Sequence, residues 1–70
     1  MRFDVYGRLV LIVERDGESW RVLELGADGK RRLFEDVVIP CHMPEDEIGT
    51  LLADILHELA RPGSSVRRLD

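Results

Sequence analysis

Apolar and polar positions alternate with a period of two through the first part of the chain. Phe3, Val5, Leu9, Leu11 and Val13 share one parity, with Gly7 interrupting the row, so residues 2–14 are predicted to form one long first strand. A glycine within a strand marks a bulge or a close backbone approach. From Leu9 to Val13 the opposite parity is also apolar, through Val10 and Ile12, the pattern of a strand buried on both sides. Asp16-Gly17 is a hairpin signal, because a type I′ turn needs positive φ at both central residues. With those two residues as the loop, Arg15 pairs with Glu18, Val13 with Trp20 and Leu11 with Val22. One face then carries Leu9, Leu11, Val13, Trp20 and Val22, and the other carries Val10 and Ile12 opposite Leu23 and Arg21, with Leu25 beyond.

A second turn over Gly26-Ala27-Asp28-Gly29-Lys30 leads into a third strand, residues 31–39, ending at Pro40. Leu33, Val37 and Ile39 fall on one parity and Phe34 and Val38 on the other, which places a bulge near Glu35-Asp36. The period then changes. Ile48, Leu51, Leu52, Ile55, Leu56 and Leu59 recur at steps of three and four, an amphipathic helical stripe with Ile55 at its centre. Pro44 suits the first helical position, Glu45, Asp46 and Glu47 oppose the positive end of the helix dipole, and Pro62-Gly63 stops the helix.

The fold class expected is α+β: a three-stranded antiparallel β-meander with one C-terminal amphipathic helix packed on one face. Residues 1–63 form the single domain and residues 64–70 a short C-terminal tail. One helix covers one sheet face. The second face, with Val10, Ile12, Leu23, Leu25 and either Phe34 or Val38, is left uncovered, and contiguous exposed apolar surface marks an interface. The expected partner is therefore a second copy of the chain, giving a homodimer, or another protein.

Composition narrows the function. Seventy residues with 44% hydrophobic and 34% charged side chains make one small globular domain, too short for a multidomain enzyme or a large cofactor fold. The formal charge of −4 disfavours phosphate backbones and anionic lipid. The acidity is concentrated in residues 44–60, which hold five acids and no Lys or Arg. The alternative function, a nucleic-acid-associated regulator, would use Arg31, Arg32, Arg67 and Arg68, the only basic clusters. The longest apolar run, Leu9 to Val13, is five residues, far short of the roughly 20 that span a bilayer. No signal-peptide pattern opens the chain, so a cytoplasmic location is expected.

Chemistry-bearing residues are few. Cys41 is the only cysteine, which excludes an intrachain disulfide, and it reads as a packed residue at the strand–helix junction. His57-Glu58-Leu59-Ala60-Arg61 begins like a zinc-protease helix, but Arg61 stands where the second histidine is needed. Cys41 and His42 precede the helix, whereas His57 lies thirteen residues beyond Pro44, roughly 20 Å along a helix. No metal, cofactor or catalytic residue is expected, and the protein reads as non-enzymatic. His57, Glu58 and Arg61 form a second, polar candidate contact at the helix end, unexplained by core packing.

Several segments together resemble a family of small uncharacterised bacterial proteins known only as a domain of unknown function. They are Val5-Tyr6-Gly7-Arg8, Val38-Ile39-Pro40, the run Leu52-Ala53-Asp54-Ile55-Leu56-His57-Glu58-Leu59-Ala60 with Pro62 following, and Val66-Arg67-Arg68-Leu69. The resemblance spans nearly the whole chain and implies a free-standing small domain, with no activity or site to carry over. A looser likeness, in element order alone, is to antitoxin-type partner domains.

Overall fold

The computed structural model describes residues 1–70. It contains β1 (Arg2–Val5), β2 (Leu9–Asp16), β3 (Ser19–Leu25), β4 (Arg31–Leu33), one α-helix, α1 (Ile48–Ile55), and β5 (Val66–Arg68). The strands form one antiparallel sheet in the order β4-β3-β2-β1-β5. The α+β class and the antiparallel sheet stand as expected, but the sheet has five strands rather than three. The chain runs as a four-strand meander, crosses the sheet through α1, and returns to the far edge as β5.

The first extra strand comes from a reversal at Tyr6-Gly7. Both residues have positive φ, 55° and 68°, and the Arg8 N–H donates to the Val5 carbonyl at 3.0 Å. The expected long first strand is therefore a hairpin. Phe3 pairs with Leu11 and Val5 with Leu9, so odd residues meet odd residues and stay on one face through the turn. The second extra strand replaces the expected tail: Val66 pairs with Val5 and Arg68 with Phe3.

The β2–β3 hairpin turns one residue later than expected. Asp16 pairs with Ser19 and Val13 with Val22, leaving Gly17 and Glu18 as the loop. Gly17 takes the positive φ, 63°, so the left-handed conformation falls on the residue that adopts it at least cost. The register moves by two, and a shift of two preserves both faces.

β4 is shorter than the expected third strand. After Leu33 only the Phe34 N–H continues the ladder, to the Val22 carbonyl at 2.9 Å. The chain turns at Glu35-Asp36, the site expected for a bulge, and this resets the parity. Phe34, Val37 and Ile39 pack toward the core, while Leu33 and Val38 point outward.

The expected helix is likewise shorter and flanked by 3₁₀ turns at Glu45–Glu47 and His57–Leu59. Pro44 is extended, with ψ 148°, and precedes the first turn as its cap position. Ile48 and Leu52 are fully buried against Phe3, Val5, Leu11, Val13 and Val22. Ile55, expected at the centre of the buried stripe, is 39% exposed, because Ile48 and Leu52 define the face that meets the sheet. Gly49 lies under the Phe3 ring, where an added Cβ would come within 3.3 Å of Phe3 Cε1.

Candidate functional site

The register places the side chains of the uncovered face on a grid. One row crosses the sheet as Arg2, Ile12, Leu23 and Leu33. The next row is Arg67, Asp4, Val10, Leu25 and Arg31. A third, on β2 and β3 alone, is Glu14 and Arg21. Val10, Ile12, Leu23 and Leu25 thus form an aliphatic block at the centre, with Leu33 extending it to the β4 edge.

None of these five residues belongs to the core cluster or packs against it, and α1 meets the sheet from the other side, through β1 and β5. Ile12, in the middle of the block, is 5% exposed, whereas Leu33 is 59% exposed. Val10, Leu23 and Leu25 are half-buried. The structure therefore gathers the four sequence-chosen apolar residues into one contiguous patch. Phe34 and Val38 do not join it, since the turn at Glu35-Asp36 sends Phe34 to the core and leaves Val38 exposed elsewhere; Leu33 takes their place.

Charges frame the block. Arg21 bonds Glu14 at 3.1 Å, and Arg67 lies 3.6 Å from Asp4. Asp4 also accepts the Gly7 N–H at 3.2 Å. The guanidinium of Arg31 has no carboxylate partner in its own chain, in contrast to Arg21, Arg32, Arg67 and Arg68. Two carboxylates near the sheet margins are held below their ordinary range. Asp28 is lowered chiefly by the hydrogen bond from Arg32, then by the Lys30 N–H. Asp70 is lowered chiefly by the Arg2 N–H, with Arg68 assisting.

His57, Glu58 and Arg61 lie on the helix side of the sheet, away from the aliphatic block. His57 Nδ1 is 2.9 Å from the Asp54 carbonyl oxygen. The Arg61 N–H donates to Ser64 Oγ at 2.9 Å, and Ser64 Oγ donates back to the Arg61 carbonyl at 2.7 Å. These contacts build the turn from the helix into β5, a role hidden while residues 64–70 read as a tail. The four arginines of the nucleic-acid alternative are also divided: Arg31 and Arg67 lie on the open face, Arg32 and Arg68 on the helix face. Cys41, expected to be packed, is exposed.

Sequence reasoning missed an open groove of about 410 Å³ along β3 where β4 departs, lined by Trp20, Val22, Phe34, Val37 and Ile39 among others. Its only sequence signal was the change of parity within residues 31–39. No helix is long and apolar enough to cross a membrane.

A five-stranded antiparallel sheet with a short helix on one face and a charge-framed aliphatic block on the other defines a small α+β protein with one open sheet face. The chain belongs to the family described as a domain of unknown function (DUF7661), which matches residues 1–70. No curated protein and no solved structure shows significant similarity to it.

Proposed function

We propose that this chain is a small, non-enzymatic interaction module of the cytoplasm that self-associates as a homodimer through the open face of its sheet. The observation that carries the reading is the block of Val10, Ile12, Leu23 and Leu25, continued by exposed Leu33, over which no element of the chain packs. Contiguous apolar surface rimmed by polar groups is the usual mark of a docking surface. Two sheets stack face to face about 10 Å apart with interdigitating side chains, so a second copy supplies a cover of matching shape. The lone, unpaired Cys41 fits a reducing compartment.

Solution mass by size exclusion with light scattering, across a concentration range, tests this. The expected mass is about twice 8.0 kDa at high concentration, and Leu23→Asp is expected to give a monomer with an unchanged circular dichroism spectrum. A soluble wild-type monomer at every concentration would overturn the reading.

A further inference from the structure

We infer that the two-fold axis of this dimer runs parallel to the strands, between β2 and β3, and pairs Asp4 of each subunit with Arg31 of the partner subunit. The inference rests on the proposed use of the open face and adds a specific geometry to it. A two-fold axis lying between stacked sheets and parallel to their strands keeps every row of side chains at its own level. It exchanges β2 with β3 and β1 with β4. By the observed register, Val10 then faces the partner's Leu25, and Ile12 faces the partner's Leu23. Glu14 faces the partner's Arg21, and Asp4 faces the partner's Arg31.

Four of the five facing pairs are matched, apolar on apolar or acid on base; the fifth sets Arg2 at the margin against the partner's Leu33, and no two like charges meet. The arrangement supplies a carboxylate to Arg31, which lacks one within its own chain. It also closes each internal Glu14–Arg21 pair into an alternating ring of four charges. An axis running across the strands is the competing geometry. It likewise sets one arginine, Arg31, against the partner's Leu33. It makes a single kind of charge pair, Arg2 with the partner's Asp4, leaving Glu14 and Arg21 outside the contact, where the axis along the strands makes two. Sheet twist rotates the two sets of strands by about 30° without changing which rows meet near the axis. The face is small, four strands wide and three side chains long, which places the contact at the low end of specific interfaces, below about 1,200 Å² in total. Association is therefore expected to be concentration-dependent.

Complementary charge reversal in mixed chains is the test, read by sedimentation equilibrium. Arg31→Asp alone and Asp4→Arg alone each set like charges face to face at two places, and each is expected to weaken its homodimer by about tenfold or more. An equimolar mixture is expected to recover wild-type affinity, because the heterodimer holds one native pair and one reversed pair. A second pair, Val10→Asp mixed with Leu25→Arg, tests the same axis without touching the hydrogen bond from Gly7 to Asp4. Failure of both mixtures to recover, with Leu23→Asp still abolishing the dimer, would overturn the axis while leaving the proposed function intact. Recovery by mixing Arg2→Asp with Asp4→Arg would overturn it in favour of the axis across the strands. A wild-type monomer throughout would remove the proposed function and the axis together.

Discussion

The guanidinium of Arg15 lies 3.9 Å from the centre of the Trp20 ring, directly across the β2–β3 pair. Both side chains hold the same stretch of backbone. Arg15 Nη1 donates to the Cys41 carbonyl at 2.9 Å and to the Glu18 carbonyl at 3.1 Å, while Trp20 Nε1–H donates to the Met43 carbonyl at 3.2 Å. The hairpin end thus grips the segment that leads into α1. Arg15→Ala is expected to lower unfolding free energy by about 1–2 kcal/mol, combining an exposed cation–π contact with a charged hydrogen bond. Arg15→Lys should recover only part, since it lacks the planar fork. Urea unfolding followed by Trp20 fluorescence measures both, and an unchanged midpoint would show that residues 41–43 are held by other means.

The helix makes unequal demands on its aliphatic residues. Leu52 is fully buried, whereas Ile55 is 39% exposed. Leu52→Ala should cost about 2–5 kcal/mol as a core truncation, and Ile55→Ala clearly less, about 1 kcal/mol, because much of its surface already meets water. Equal losses in paired urea titrations would contradict the way the helix sits.

The first hairpin offers a conformational test. A Cβ on Gly7 would touch nothing within 4 Å, yet its φ is +68°. Gly7→Ala should therefore cost about 1–2 kcal/mol purely through the left-handed backbone. Tyr6→Phe should cost about 1 kcal/mol by removing the hydroxyl's bond to the Ala53 carbonyl. Thermal unfolding of both variants distinguishes turn strain from the lost tie to α1.

Acid stability follows from Asp28 and Asp70, whose carboxyls titrate below the ordinary 3.8 when folded. A depressed folded pKa binds protons less readily than the unfolded chain does. Their stabilisation is thus complete above the unfolded value and is lost as pH falls from about 3.8 through the folded value. Asp28→Asn and Asp70→Asn should each flatten the fall in melting midpoint below pH 4, leaving the profile near pH 7 parallel to wild type. An unchanged acid limb in both variants would remove these residues from the explanation.

The positions where strand boundaries escaped the sequence have a common physical cause. Alternation reports which face a side chain occupies, not which way the strand runs. Because Phe3 pairs with Leu11 and Val5 with Leu9, the reversal at Tyr6-Gly7 leaves the parity of Phe3, Val5, Leu9, Leu11 and Val13 unbroken, and two strands read as one. The same insensitivity preserved the aliphatic patch of the open face. A two-residue error in the β2–β3 register kept Val10, Ile12, Leu23 and Leu25 on one face, so the patch was legible although its pairing was not. β5 carries one inward apolar residue, Val66, too little to show a period. Leu33 was hidden by the turn at Glu35-Asp36, which resets the parity after it.

Both borders of the sheet are three-residue strands, and each contains two consecutive arginines: Arg31 and Arg32 on β4, Arg67 and Arg68 on β5. Open sheet margins invite another chain to continue the ladder, and short, positively charged margins resist it. In the registers that align them, lateral growth of this sheet, β4 on β4, β5 on β5 or one on the other, would bring arginines against arginines. Fibril-like extension is thereby penalised in those registers.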